Sequence, residues 1–130
     1  MGITYDGLLD EAANNGIHVE ERKLPNGLCG LYYEPTRLIV IDETLLDAQK
    51  RCTLVHELIH AQHHDQGCNP YDSKTEHRTR IQTALRLVNP IEYALAERLY
   101  GGNTYLIACE LGLTVQVIQD YKNLLHESIE

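Results

Sequence analysis

The residues best suited to chemistry are His56, Glu57 and His60, which stand together in the sequence HELIH. On a helix, positions i and i+4 lie on the same face one turn apart, so two imidazoles at this spacing can bind one Zn2+ at about 2.0–2.1 Å. Glu57 lies at the same edge of the helix without ligating. Its carboxylate can take a proton from the zinc-bound water, whose pKa zinc lowers to about 7, and pass it to a leaving amine. The pattern predicts a peptide-hydrolysing centre with one Zn2+ per chain and Glu57 as its base.

A catalytic zinc site usually takes three ligands from the protein and leaves the fourth position open. Glu76 is the favoured third ligand, because it opens the second long predicted helix, 16 residues after His60, and that helix can fold back toward the metal. The other nearby candidates are His63, His64, Asp65, Asp72 and His77, and of these His77, Asp72 and His63 remain alternatives. His63 shares the helix face of the motif, but three successive turns of a straight helix diverge from one tetrahedral point. Alternatively, Glu76 has no role at a metal and is found at the helix start only because the helix dipole favours acidic residues there.

Three further residues near Glu76 are candidates for supporting roles. Tyr71 and His77 flank it, and either side chain could donate a hydrogen bond to a tetrahedral oxyanion. Arg80 lies one helical turn later and could orient the Glu76 carboxylate. The alternatives are a loop tyrosine, a surface histidine and an ordinary ion pair on the helix surface.

Hydrophobic periodicity predicts the elements that position these residues. A candidate capping box, Thr44 with Asp47, precedes the helix that carries the HExxH motif. One helix, three strands and then only helices indicate an α+β fold: an N-terminal helix and a small three-stranded sheet, followed by a helical bundle that carries HExxH. The predicted elements are a helix over 4–14, strands over 17–21, 28–33 and 37–41, and helices over about 45–63, 74–88, 90–100, 104–111 and 114–127.

The length of 130 residues fits one domain, and the hydrophobic content of 43% is that of a folded globular protein. We therefore predict a single domain over 1–130. Its parts are the helix with the small sheet over 1–43, the zinc-binding helix pair over 44–88 and the C-terminal helices over 90–130.

Charge and hydropathy exclude some classes of protein. The net charge of −8 disfavours a protein whose main work is to bind nucleic-acid phosphates, whereas a basic protein partner is acceptable. No apolar run is long enough to span a membrane, and the chain does not start like a signal peptide. We therefore expect a cytoplasmic protein without membrane contact.

The motif and its surroundings resemble the ImmA/IrrE metallopeptidases of prophages, integrative elements and stress regulators. The resemblance covers nearly the whole chain, and a Glu that opens the helix after HExxH is its most specific part. The family often has Gly where Ile59 stands. The matching stretches are GLCGLYYEPTRLIVIDETL (27–45), VHELIHAQHH (55–64), TEHRTRIQTALRLVNP (75–90) and YLIACELGLTVQVIQDY (105–121).

The resemblance implies a minimal zincin-like metallopeptidase fold with His56, His60 and Glu76 as zinc ligands and Glu57 as catalytic base. It also implies an anti-repressor protease that removes a DNA-binding repressor of a prophage or mobile element, so the expected substrate is a basic helix-turn-helix protein. Related zinc proteases bind substrate along an exposed sheet edge beside the active helix, and a strand between residues 28 and 42 would supply that edge.

The segment 104–121 also resembles a helix-turn-helix, with Ala108, Gly112 and Ile118 at the expected spacing. Its second helix has few cations with which to dock on DNA, so we do not expect nucleic acid as a partner. The helix-turn-helix resemblance nevertheless leaves one alternative function open. It is a non-catalytic regulator, stabilised by zinc, that uses this segment to bind DNA or a protein.

Overall fold

The computed structural model describes residues 2–66 and 72–129, and it confirms the predicted α+β class. The chain divides into two compact units, Met1–Thr79 and Arg80–Glu130, with the boundary inside a helix. The single domain stays a prediction. The elements are α1 (Tyr5–Asn14), β1 (His18–Arg22), β2 (Gly30–Tyr33), β3 (Leu38–Asp42), α2 (Asp47–Gln62), α3 (Ser73–Leu87), α4 (Pro90–Tyr100), α5 (Thr104–Leu111) and α6 (Val115–Ile129), with a 3-10 turn over Glu34–Thr36.

The sheet of the first unit has the strand order β1-β3-β2. β3 pairs in parallel with β1, with Val19 opposite Ile39, and antiparallel with β2, with Leu31 opposite Val40. The central position of β3 explains its continuous apolar sequence, because its residues from Ile39 onward are buried. Among the described strands, β1 and β2 form the two edges, and β2 is the edge strand that packs beside α2.

The helix α2 begins at Asp47, and the capping box predicted from Thr44 and Asp47 is wrong. The Thr44 hydroxyl instead donates a hydrogen bond to Asp42 at the end of β3. The backbone N–H of Leu46 donates to Gln49 Oε1 at 3.0 Å and so satisfies one donor at the helix start. The buried apolar face of α2 includes Cys52, Leu54, Val55, Leu58, Ile59 and Ala61.

The second unit is helical. The side chains of Asn89 and Asn103 cap the starts of α4 and α5, and Gly101 and Gly112 end these helices in the left-handed conformation. The core contains an edge-to-face pair of tyrosine rings with centroids 4.9 Å apart, together with buried apolar side chains of all three C-terminal helices. None of the helices in the described ranges is long and apolar enough to cross a membrane.

Gly30 allows β2 to approach α2 closely. A Cβ atom at this position would lie 2.6 Å from Thr53 Cγ2, 3.2 Å from the Val40 carbonyl oxygen and 3.4 Å from Glu57 Cγ. The first distance is shorter than van der Waals contact, and the methyl group belongs to a β-branched side chain with little rotamer freedom on a helix. The edge strand therefore lies directly beside the residue predicted as catalytic base.

Replacement of Gly30 by Ala should lower the free energy of unfolding by about 1–3 kcal/mol, because the added methyl group overpacks the contact between strand and helix. Urea unfolding monitored by circular dichroism measures the change. Gly2→Ala is the matched control, because a Cβ at Gly2 would meet no atom within 4 Å. Removing the Thr53 methyl in a Gly30→Ala/Thr53→Ala double variant should recover part of the loss. Equal stability of Gly30→Ala and wild type would contradict this account.

Asp42 organises the turn between β3 and α2. Its Oδ1 accepts a hydrogen bond from the backbone N–H of Leu24 at 2.8 Å, and its Oδ2 accepts one from the Thr44 hydroxyl. These bonds, led by the one from Leu24, hold the pKa of Asp42 below its ordinary value. The ionised carboxylate is thus the form that stabilises the folded chain.

A group whose pKa is lower in the folded state contributes stability above its unfolded pKa of about 4, and that contribution is lost as the pH falls through the folded value. Asp42→Asn should therefore be less stable than wild type near neutral pH, and the difference should shrink as the pH drops below about 4. Urea titrations from pH 6 to pH 2 measure it, with the exposed Asp10→Asn in α1 as control. A difference that stays constant with pH would refute the assignment.

Candidate metal centre

The fold brings His56, His60 and Glu76 together. One side-chain ligand atom of each lies within 4.8 Å of the other two. Glu76 Oε1 is 2.8 Å from His60 Nε2 and 3.2 Å from His56 Nε2. Two imidazole nitrogens and a carboxylate oxygen are a typical donor set for catalytic zinc. These residues fit the metal that the sequence predicts, and within 2–66 and 72–129 they are the one such group found.

The local fold explains this convergence. The i, i+4 spacing on α2 places the two imidazole rings edge to face, with their centroids 5.0 Å apart. Glu76 lies in the first turn of α3, and Asp72 precedes that helix and binds Thr75 through both carboxylate oxygens, each at 2.9 Å. Asp72, an alternative third ligand, thus has a capping role, and it helps to present Glu76.

The ionisation state of Glu76 suits a metal ligand. Hydrogen bonds from the His56 and His60 side chains hold the pKa of its carboxyl well below the ordinary value. The carboxylate is therefore ionised at neutral pH. Its side chain is 34% exposed, whereas that of His60 is fully buried, so the group is closed on the His60 side and accessible from the Glu76 side.

Glu57 has a different environment. Burial, opposed by the nearby His56 and aided by Glu76, raises the pKa of its carboxyl to about 7. Its Oε1 is buried and makes no hydrogen bond within the part of the chain that the structure describes. A buried carboxyl that gains and loses a proton near neutral pH is suited to general acid–base chemistry.

The other predicted residues that the structure describes do not belong to this group. His77 and His63 are exposed. Arg80 binds Asp120 of α6 through two nitrogens, at 3.1 and 2.6 Å. Tyr71 lies outside the described residues, and the supporting roles of Tyr71, His77 and Arg80 remain predictions.

Two further residues contact the group: Asp65, which the sequence offers as a nearby candidate ligand, and Arg78, to which the sequence interpretation gave no role. Asp65 lies against His60, with Oδ2 2.8 Å from Nδ1, and Arg78 binds the same carboxylate. Asp65 falls just past the end of α2, where a chain reversal returns it to the helix. Its position five residues after His60 is a signal that could have indicated this contact.

Comparison with known proteins agrees with this geometry. No curated protein and no solved structure matches the chain. The family model described as the IrrE N-terminal-like domain, Peptidase M78, matches residues 12–120, a range that holds the sheet and all three residues of the metal group. The chain therefore belongs to this metallopeptidase family, that of the IrrE N-terminal-like domain.

Proposed function

We propose that the protein is a zinc-dependent endopeptidase with one Zn2+ held by His56, His60 and Glu76, and with Glu57 as its catalytic base. One observation carries the proposal. Two imidazole nitrogens and a carboxylate oxygen converge beside a buried glutamate whose Oε1 makes no hydrogen bond in the described part of the chain. A purely structural metal site does not need such a glutamate, because a structural site is closed by a fourth ligand.

Each residue of the site has a distinct task. Zinc bound there would supply a Lewis acid for the peptide carbonyl and lower the pKa of water at the open position to about 7. Glu57, with a pKa near 7, can accept a proton from water at Oε1 and release it to the leaving nitrogen of the peptide. The ionised Glu76 would offset part of the positive charge of the zinc ion. His60 is buried, so the site is closed to solvent on the side of that residue.

The edge strand β2 is the proposed binding surface for an extended substrate. The backbone N–H of Asp42 donates to the Cys29 carbonyl, so Cys29 and Asp42 form a hydrogen-bonded antiparallel pair. Hydrogen-bonded and non-hydrogen-bonded pairs alternate along an antiparallel ladder, so the next pair, Gly30 with Ile41, is not hydrogen-bonded. The backbone N–H and C=O of Gly30 therefore point away from β3. A peptide that added to this edge would pass beside Glu57, whose Cγ is 3.4 Å from the position of a Gly30 Cβ.

We propose a basic, DNA-binding repressor of a prophage or mobile element as the substrate, and the cytoplasm as the place of action. The net charge of −8 supports a cationic protein substrate, because opposite charge speeds association. The C-terminal helix pair does not favour the DNA-binding alternative. Lys122 of α6 is bound to the Gly102 carbonyl and to Thr104, and Arg80 is paired with Asp120.

Glu57→Gln should keep zinc and lose peptidase activity by about 10²–10⁴-fold, because the amide cannot accept a proton. Cleavage of a quenched fluorescent peptide library measures the activity, and metal analysis of the purified protein measures bound zinc. Activity within a few fold of wild type would remove Glu57 as the base. If the purified wild-type protein does not contain about one zinc ion per chain, the proposed function is wrong.

Glu76→Ala should weaken zinc binding by more than about 100-fold, because even residues that only support a ligand contribute about 10–100-fold. Competition with a chromophoric chelator measures the dissociation constant. Glu92→Ala is the matched control, since Glu92 also lies in the first turn of a helix, α4, and is exposed. Unchanged affinity in Glu76→Ala would move the third ligand to another residue.

A further inference from the structure

The imidazole of His60 is held from both sides. The side chain is fully buried. Its Nε2 is 2.8 Å from Glu76 Oε1 and faces the metal group, whereas its Nδ1 is 2.8 Å from Asp65 Oδ2. The two ring nitrogens point in different directions. Asp65 therefore lies behind the ring, where it cannot share a metal with Nε2 of the same imidazole.

The backbone at the end of α2 brings Asp65 to this position. The N–H of Asp65 donates to the His60 carbonyl at 2.9 Å, and the N–H of His64 donates to the Ala61 carbonyl at 3.1 Å. This pair of bonds is a Schellman motif, and His64 occupies its left-handed position with φ of 53°. The motif reverses the chain within one turn of the second ligand.

Side-chain contacts stabilise this reversal although its left-handed residue is not glycine. His64 Nδ1 is 2.9 Å from Glu34 Oε2, and Arg37 donates from Nη1 to the Ala61 carbonyl at 2.8 Å. Glu34 and Arg37 follow the edge strand β2. The end of the metal-binding helix is therefore attached to the hairpin beside the site, which offsets the cost of the left-handed conformation.

Arg78 fixes the carboxylate itself. Its Nη2 donates to Asp65 Oδ2, the oxygen that faces His60, and lies 3.2 Å from the Thr79 hydroxyl. Arg78 is two residues after Glu76, so the first turns of α3 supply both a ligand and the group that holds Asp65. Asp65 is largely buried, with 12% of its side chain exposed, which strengthens its charged contacts.

The geometry points to Asp65 as a positioning residue for His60, held in place by Arg78. A carboxylate at Nδ1 selects the tautomer with its proton on Nδ1, which leaves the Nε2 lone pair for the metal. The inference rests on the proposed zinc site. It extends the functional pattern from HExxH to HExxH followed by Asp at the fifth position after the second histidine.

The effect should be specific to His60. In residues 2–66 and 72–129, no carboxylate is placed at Nδ1 of His56, whose ring contacts Glu76 through Nε2. The two histidines therefore differ in what lies behind them. Loss of Asp65 should change the tautomer and orientation of His60 and leave the position of the His56 ring unchanged.

Zinc affinity tests the inference without a substrate. Asp65→Ala should weaken zinc binding by about 10–100-fold, and Asp65→Asn by less, because an amide oxygen still accepts from Nδ1 without its charge. Chelator competition gives the dissociation constants. Asp47→Asn is the matched control, because it removes an Asp–Arg pair on the same helix, with Arg51 at 2.7 Å. In the zinc-loaded protein, ¹⁵N–¹H correlation should show a proton on Nδ1 of His60 in wild type, and a weaker or absent signal in Asp65→Ala.

The outcomes are distinct. Zinc affinity of Asp65→Asn and Asp65→Ala equal to wild type would overturn the inference and leave the proposed zinc site intact. A lower melting temperature in both variants with unchanged zinc affinity would also overturn it, because the pair would then only join α2 to α3. A wild-type protein that does not bind zinc would overturn the proposed function, and this inference with it.

Discussion

The close contact between α2 and the edge strand β2 is the constraint on which the rest of the site depends. Gly30 leaves room for the side chain of Glu57 where any Cβ would meet Thr53. Glu57 is buried beside this contact, and burial is the main reason why the pKa of its carboxyl reaches about 7. The same contact sets the edge of the sheet beside the metal group. One missing methyl group thus serves both acid–base chemistry and the proposed binding of an extended peptide.

A network of ion pairs and hydrogen bonds offsets the free-energy cost of burying the polar groups of the site. Glu76 Oε1 lies against both imidazoles, and His60 connects it through Asp65 to Arg78. Each buried member has a partner of complementary charge or hydrogen-bonding type, which offsets its desolvation. Two buried side-chain atoms make no hydrogen bond in the described part of the chain: Arg78 Nε, whose guanidinium still binds Asp65 through Nη2, and Glu57 Oε1. A group that must exchange a proton is the one for which a permanent partner would be a disadvantage.

Local patterns predicted much of this arrangement, because the decisive spacing lies within single helices. The HExxH spacing predicts a shared helix face, and the start of the next helix predicts Glu76. Sequence alone did not show that the Thr44 hydroxyl binds Asp42 and does not cap α2. A hydroxyl at this position can bind either the nearby carboxylate or the backbone at the helix start. The sequence also did not show which strand forms the edge beside α2, or that Asp65 turns back to His60. Strand order depends on contacts between residues that are distant in sequence. The chain reversal depends on the left-handed conformation of His64, which the sequence does not indicate because the residue is not glycine.

Two of the proposed ligands lie on α2 and the third on α3, 16 residues further along the chain. A metal bound to all three would link α2 to α3 across that segment, and because the unfolded chain does not hold the three side chains together, binding would favour the folded state. Binding of zinc at 100 times its dissociation constant would add about 2.7 kcal/mol to the stability of the folded state. Supply of zinc would then set how long the protein survives in the cell as well as how fast it works, since chains without metal would unfold more often and meet proteases more readily.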